Sequence, residues 1–392
     1  MVKILHTSDW HLDAKIGRQA KAERSLEQIS EYLSANEIDL VLNTGDLFHQ
    51  RQSFEGGSGV EIAHKWLKIF GSLCENQVIV KGNNEHDEEG SISLLHQITP
   101  NTYAYEYPVL LGRRIEGDLI DLLRADFDLV DLHARQETIK YTIGLMPYPT
   151  KAMLVKDASI DNNNKDYADI FDGIMDLFGM INNKFNCPKA FGFHGNVQGS
   201  RLSNGQSLLG QDIIISPNSL EKSGADYIGL GHIHNPQQIT KNMYYAGSLY
   251  NNNFGEVETK SFNVITLGGS ETKIEQIQLK AVRPMVTVDA DFRNGKLVVE
   301  DGKDFLPNAE VRFRFTVKEN ETALVTEEVI NKIKEQYGSD VQIKKSIIPV
   351  QRQSRSEEIM HQTTIKDEVL EYAKVINQPM NESIESKISE VQ

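Results

Sequence analysis

Five short clusters of Asp, Asn and His punctuate the first 234 residues, and each sits where a short apolar, β-prone run stops. Asp9-Trp10-His11 follows Ile4-Leu5, Gly45-Asp46 follows Leu40-Val41-Leu42, and Gly82-Asn83 follows Val78-Ile79-Val80. His194 follows Ala190-Phe191-Gly192-Phe193, and Gly231-His232-Ile233-His234 follows Tyr227-Ile228-Gly229-Leu230. Short apolar runs separated by helical patterns read as the strands of an α/β sheet. Such sheets bind ligands at the carboxyl ends of their strands. Seven candidate ligands from five strand ends are hard to explain by packing alone.

Each cluster taken singly has a bland reading. A lone His194 is ordinarily a satisfied polar residue, and Gly-Asp after a strand is a common turn. Taken together, Asp9, His11, Asp46, Asn83, His194, His232 and His234 spell a binuclear metal site. Two divalent ions roughly 3.5–4 Å apart clamp the attacking and leaving oxygens of a phosphoester displacement. Such a pair needs a bridging carboxylate, and Asp46, after a glycine that lets the chain turn tightly, is the natural one. Mixed His, Asp and Asn ligation suits Mn²⁺, Fe²⁺ or Zn²⁺ rather than Ca²⁺. Asp9 and His11, at i and i+2, are expected to point the same way from an extended segment. His232 and His234 are expected to do likewise, so each can serve an ion from one strand end.

A chain of 392 residues is too long for one ordinary core, so two or three domains are expected. No apolar stretch approaches the ~18 residues that a membrane span needs, and the N-terminus runs straight into the first cluster as a core strand. Cys74 and Cys187 are isolated and fit no metal or redox spacing, which places the chain in a reducing cytoplasm. The net charge of −15 is awkward for a nucleic-acid enzyme. Bound cations would offset it locally, and a DNA-holding partner becomes more attractive.

Residues 1–50 read as β-α-β, with Leu26, Ile29 and Leu33 at helical spacing and a second strand from Ile38 to Leu42. Gln52 to Gly59 reads as a loop, and Ile62, Trp66, Leu67 and Phe70 as a helix leading to the strand Val78–Val80. Tyr141–Leu145 is a further strand, Asn162-Asn163-Asn164 a loop, and Ile170 to Ile181 a helix. Tyr244–Ser248 and Phe262–Ile265 finish the first domain near residue 275. Beyond it, Val311, Phe313, Phe315 and Val317 alternate with Arg312, Arg314, Thr316 and Lys318, a half-buried strand with one basic face. Val329, Ile330, Ile333 and Tyr337 give a helix closed by Gly338, and Val341–Ile343 another strand. In the last stretch Ile365, Val369, Tyr372 and Ile376 form a helical stripe with no obvious core to join.

The segments His6-Thr7-Ser8-Asp9-Trp10-His11-Leu12, Thr44-Gly45-Asp46-Leu47-Phe48-His49 and Gly231-His232-Ile233-His234-Asn235-Pro236-Gln237 resemble the calcineurin-like metallophosphoesterase superfamily. Within it, Ala246-Gly247-Ser248-Leu249 and Phe254-Gly255-Glu256 resemble the SbcD-type nucleases, which process DNA ends in double-strand-break repair. The resemblance covers about residues 1–270 by motif and the rest by domain order only. It implies an α/β fold, a four-layer β-sandwich flanked by helices. That nuclease domain would span residues 1–275, followed by a small α/β capping domain at 282–350 and a linker with a C-terminal helix at 351–392.

The resemblance further implies two divalent ions, Mn²⁺ preferred. One would be held by Asp9, His11, Asp46 and His234, the other by Asp46, Asn83, His194 and His232. It implies a 3′→5′ exonuclease on duplex ends and an endonuclease on single strands or hairpins. The partners would be DNA and an SMC-type ATPase docked on the C-terminal helix of a homodimer, in a bacterial cytoplasm or a phage-infected host. The chain carries no Gly-x-x-x-x-Gly-Lys-Ser/Thr loop of its own. His49 matches a histidine that positions the DNA backbone. The third motif departs from the family pattern of Gly-Asn-His followed by an acid, reading Gly82-Asn83-Asn84-Glu85-His86-Asp87. Without a gap, Asn84 takes the catalytic histidine's place; with a two-residue insertion, His86 supplies it. His86 is preferred, because Asn donates a hydrogen bond but delivers no proton at neutral pH. Two rivals stand beside this reading: another metallophosphoesterase acting on nucleotides or phosphoproteins, and a catalytically impaired scaffold.

Overall fold

The structure, a computed structural model, describes residues 1–50, 59–123, 138–154, 164–203, 213–293, 296–299, 309–317, 323, 325–337, 347–349, 364–375 and 387. Two large sheets dominate it. The first runs in the order β15 (Lys273–Gln278), β14 (Ser261–Leu267), β1 (Val2–Thr7), β2 (Leu40–Asn43), β3 (Asn76–Val80) and β4 (Thr102–Tyr105). The second runs β12 (Gln237–Thr240), β13 (Met243–Tyr245), β11 (Tyr227–Gly231), β8 (Lys189–His194), β7 (Ile139–Met146), β5 (Val109–Arg114) and β6 (Leu119–Asp121). β1 to β4 are mutually parallel, as are β7, β8, β11 and β13. The carboxyl ends of β1, β2 and β3 therefore share one edge of the first sheet, and those of β8 and β11 one edge of the second. A short pair, β9 (Asn196–Val197) and β10 (Ile214–Ile215), lies just past β8.

Strand side chains alternate between faces, and the burial follows that period. Ile4, Leu40, Leu42, Val78 and Val80 face a core shared with Leu111, Tyr141, Ile143, Leu145 and Tyr227 of the second sheet. Leu5, Val41 and Ile79, on the opposite face, pack under the helices Ile16–Ala35 and Gly59–Gly71, through Leu26, Ile29, Leu33, Ile62, Trp66, Leu67 and Phe70. Phe191, Phe193, Ile228 and Leu230 face outward from the second sheet onto Tyr167, Phe171, Met175 and Phe178 of the helix Asn164–Asn182. The result is the expected four-layer order of helix, sheet, sheet and helix.

A buried polar bridge crosses the inter-sheet face at His6. His6 is fully buried, with Nδ1 2.8 Å from the Tyr227 hydroxyl and Nε2 2.9 Å from the Thr44 hydroxyl. Gly229 stands opposite, and a Cβ there would lie 3.0 Å from the imidazole ring. Burial drives the His6 imidazole down to about 3, so it stays neutral.

Several boundaries differ from the sequence reading. The helix expected from Ile170 begins at Asn164, because Tyr167 belongs to its buried stripe and Asn is at home at a helix start. Asn162 and Asn163 lie outside the described residues, as does most of the Gln52–Gly59 loop, whose Gly59 opens a helix. The second strand starts at Leu40 rather than Ile38, and β15 runs on to Gln278.

The chain divides into two compact units, one of residues 1–286 and 305–310, the other of 287–304 and 311–392. The second contains a four-stranded sheet in the order β17 (Lys296–Val299), β16 (Met285–Arg293), β18 (Glu310–Val317) and β19 (Ile347–Pro349), and the helices Glu327–Tyr337 and Ile365–Val375. Val311 and Phe313 are buried while Arg314 is exposed, the expected alternation. Arg312 is engaged within the sheet, donating to the Thr287 hydroxyl at 2.9 Å. Lys318, Gly338, Val341–Ile343 and Ile376 lie outside the described residues. Among the described residues no helix is long and apolar enough to cross a membrane.

Phe191 is fully buried between its sheet and helix. Phe191→Ala is expected to cost about 3–5 kcal/mol, read as a lowered urea midpoint at unchanged m-value.

Candidate metal centre

After β1, β2 and β11 the chain turns in left-handed backbone. Asp9 and His11 after β1 have φ of 50° and 46°, Asp46 after β2 has 50°, and His232 after β11 has 96°. Such conformations cost about 1–3 kcal/mol each in non-glycine residues and persist only where the surroundings hold them. Here the loops after β1 and β2 are laced together. The Asp9 N–H donates to the Gly45 carbonyl (2.9 Å), His11 to Asp46 (3.1 Å), Leu12 to Leu47 (2.9 Å) and His49 to Leu12 (3.0 Å). The expectation of i, i+2 pairs on extended segments is therefore corrected. With positive φ the period-two rule does not apply, and His232 and His234 separate into different groups.

Asp9, His11 and His234 each offer a ligand atom within 4.8 Å of the others, and so do Asp46, His194 and His232. A third group, His11, Asp46 and His86, overlaps both. Asn83 sits on the shared carboxylate, its N–H and its Nδ2 donating to the two Asp46 oxygens at 2.9 Å each. All seven sequence-derived residues are thus brought together. Glycines make the approach possible: a Cβ on Gly82 would overlap the Asp46 carboxylate, and one on Gly45 the His194 ring. A cleft of about 290 Å³ opens beside His232 and His234.

The ring nitrogens test whether cations fit. His194 Nδ1 donates to the Thr44 carbonyl at 2.6 Å, which leaves Nε2 buried, 3.2 Å from Asp46 Oδ1 and without a hydrogen-bond partner. His234 Nδ1 donates to Glu256 at 3.0 Å, and its Nε2 faces His11 Nε2 at 2.8 Å. Two imidazole lone pairs that close need a proton or a cation between them. His11 Nδ1 and His232 Nδ1 are buried without partners as well. Orphaned buried nitrogens are rare in folded proteins, and these surround carboxylates in a nitrogen–oxygen set that fits divalent transition ions.

The electrostatics agree. Burial alone would raise the Asp46 carboxyl, but His194 beside it holds it well below the usual range. Burial does raise Asp9. His194 is lifted to about 9, against its burial, by Asp46 and Asp9. Burial pushes His232 down to about 3 and His11 well below its ordinary value. His234 is raised as well, against its burial, by the Glu256 hydrogen bond, so the buried carboxylates stand among imidazoles pushed in both directions.

The third motif is a tight turn. Asn84 points away from the group, its Oδ1 accepting from Lys81 Nζ. His86 points in, with Nδ1 donating to the His49 carbonyl at 2.6 Å, Nε2 3.9 Å from Asp46 Oδ2, and its ring 4.5 Å from that of His11. His49 lies at the edge, 5.7 Å from His11 between ring centres, and is pushed down to about 4 by burial and the Arg18 charge.

Four further residues support the site. Asp87, fully buried and raised by burial to about 6, accepts from Gly82 N–H (2.8 Å) and Phe48 N–H (3.1 Å). Tyr250 donates to the His11 carbonyl at 2.7 Å. Glu256 holds His234; burial would raise its carboxyl, but the His234 hydrogen bond and Lys260 bring it down to about 2. The Tyr148 ring lies 5.4 Å from that of His232. Asp87 and Glu256 stand inside quoted motifs but had no role assigned to them; Tyr148 and Tyr250 have no sequence signal.

Gly82→Ala is expected to keep the far-UV circular dichroism of the unaltered protein while weakening Mn²⁺ binding by roughly tenfold or more, because the added methyl displaces Asp46.

Residues 2–236 match the family described as calcineurin-like phosphoesterase. Among curated proteins the chain is 22% identical over 301 residues to the SbcD component of the nuclease SbcCD from Staphylococcus epidermidis, spanning 75% of this chain and 74% of that protein. It is 23% identical over 300 residues to the SbcD component of the same nuclease from Bacillus subtilis, spanning 73% and 71%. A solved structure titled "GAP50 the anchor in the inner membrane complex of Plasmodium" superposes with a TM-score of 0.45 at 11% identity, covering 71% of this chain and 85% of that one. With residues 2–236 matched and the strand-end clusters converging on Asp46, the chain belongs to the calcineurin-like phosphoesterase family, metal-dependent phosphoester hydrolases.

Proposed function

We propose that the protein is the nuclease component of a two-part DNA-processing complex, hydrolysing phosphodiesters with two divalent ions, Mn²⁺ preferred. The observation that carries this reading is Asp46, whose carboxylate belongs to two groups of candidate ligands at once. The likeness to proteins named as components of the SbcCD nuclease, along about three quarters of each chain, supports DNA as the substrate. The expected products are those of a 3′→5′ exonuclease on duplex ends and an endonuclease on single strands or hairpins.

In this reading Asp46 would serve both ions, with Asp9, His11 and His234 holding one and Asn83, His194 and His232 the other. Bound ions would supply Lewis-acid stabilisation and lower the pKa of water. The chain's own residues do the rest. Thr44 and Glu256 fix the tautomers of His194 and His234, so that each presents Nε2. His86 takes the catalytic histidine's part in preference to Asn84, whose oxygen is engaged by Lys81. With Nδ1 committed to the His49 carbonyl, His86 handles a proton at Nε2, the nitrogen nearer Asp46. His49, at the rim, would steer the phosphate backbone. Residues 282–350 would cap the DNA, and the helix Ile365–Val375 would dock an SMC-type ATPase, in a homodimer of the nuclease chain. Its exposed Tyr372 suits such a contact.

End-labelled duplex DNA with Mn²⁺ tests the reading. The unaltered protein, alone or with its ATPase partner, is expected to cleave it in preference to a phosphopeptide or a cyclic nucleotide. His86→Ala is expected to lower the rate by about 10²–10⁴, and Asn84→Ala to leave it within about tenfold. The reverse ranking would return the catalytic slot to Asn84, and no cleavage under any condition would favour the scaffold reading. Asp46→Ala should lose activity and most bound metal together; full metal occupancy in that variant counts against the bridge. Removing residues after Gln351 should spare Mn²⁺-dependent cleavage and abolish ATPase association.

A further inference from the structure

The segment Phe254-Gly255-Glu256, set apart in the sequence but given no chemistry there, ends in a carboxylate that is almost wholly buried. Four donors converge on its two oxygens. His234 Nδ1 (3.0 Å) and Asn253 Nδ2 (2.8 Å) reach Oε1, while Lys260 Nζ (2.7 Å) and the Asn252 N–H (3.1 Å) reach Oε2. Lys260 is equally committed. Its side chain is fully buried, and its ammonium donates to Glu256, to Glu258 at 2.6 Å and to the His234 carbonyl at 3.1 Å. Three protons have three acceptors.

We infer that Glu256 and Lys260 act as a positioning pair for His234: Glu256 fixes the tautomer that turns Nε2 toward His11, and Lys260 keeps the Glu256 charge from adding to those of Asp9 and Asp46. This rests on the metal-centre reading and deepens it. The pair backs one side of the centre only. His194, on the other side, leans on a neutral backbone carbonyl, and the Nδ1 atoms of His11 and His232 have no hydrogen-bond partner. A carboxylate behind an imidazole strengthens it as a ligand more than a carbonyl does, so the two sides are unequal by construction.

The pair makes an unusual demand on substitution. In Glu256→Gln a single amide oxygen must serve either the Lys260 ammonium with the Asn252 N–H or the His234 and Asn253 N–H donors. The charged donor takes it, which turns the amide NH₂ toward His234. His234 then accepts at Nδ1 and carries its proton on Nε2, the wrong tautomer for a ligand. Replacing Lys260 with Met, similar in volume, frees the amide to turn back.

The test uses the whole chain, with ¹⁵N-histidine NMR of the metal-free protein and Mn²⁺ titration by calorimetry. E256Q is expected to move the His234 proton to Nε2 and to weaken one of two Mn²⁺ equilibria by about 10–100-fold, leaving the other unchanged. E256Q/K260M is expected to recover the original tautomer and most of the affinity. An E256Q protein with the original tautomer and both equilibria intact overturns the inference. So does equal weakening of both equilibria with a lowered melting temperature, the signature of a plain structural anchor, and so does a double variant that recovers neither tautomer nor affinity. Failure of the unaltered protein to bind Mn²⁺ would instead remove the metal-centre reading on which the pair depends.

Discussion

The structure depends on two loops being held against each other in backbone conformations that neither would adopt alone. Asp9, His11 and Asp46 all stand at positive φ, and the ladder of N–H to carbonyl bonds between the loops after β1 and β2 is what keeps them there. Left-handed backbone turns a side chain back over the strand end it has just left. That is how three residues so close to the edge of the first sheet can all face the second. Parallel strands make the arrangement possible, since they deliver several carboxyl ends to one edge. Glycines complete it. With a Cβ at Gly82 or Gly45 the loops could not close to the distance at which Asn83 reaches Asp46 and His194 reaches Thr44.

Closure has an electrostatic cost. Asp9 and Asp46 are both removed from water, and a pair of buried carboxylates is unfavourable unless something positive lies between them. The imidazole of His194, 3.2 Å from Asp46, is raised toward its charged form by that carboxylate. Divalent ions would serve better, because the orphaned nitrogens of His11, His194 and His232 have lone pairs for a cation and no other buried partner. The same balance bears on the net charge of −15. A centre that concentrates cations locally can meet an anionic phosphoester even on an acidic chain.

Much of this was legible in the sequence. The apolar runs gave away the strands, and the stripes of Leu26, Ile29 and Leu33 and of Ile62, Trp66 and Phe70 gave the helices, because a four-layer fold imposes both periods cleanly. The seven candidate ligands were legible because each ends a strand. Their division into two groups came from the resemblance and not from spacing. It depends on φ at Asp9, His11 and His232, and period-two reasoning has no access to a sign change in φ. Residues that act through others were also hidden. Glu256 and Asp87 sit inside recognisable motifs, yet only the fold reveals that one faces His234 and the other ties Gly82 to Phe48. The start of the helix at Asn164 was missed because a run of asparagines suits a loop and a helix start equally well.

The third motif shows how a tight turn sorts neighbouring side chains. Asn83, Asn84, Glu85, His86 and Asp87 close a single turn, with the His86 and Asp87 N–H groups both donating to the Asn83 carbonyl at 3.2 and 2.8 Å. Asp87 pins the end of that turn to the loop after β2, through Gly82 and Phe48. Within that turn Asn84 meets Lys81, while His86 faces Asp46. The Asp87 carboxylate, bonded to Gly82 and Phe48, is what holds the turn in the form that presents His86 rather than Asn84 to Asp46. A motif read by counting from Gly82 finds Asn84 there; one read back from Asp87 finds the histidine.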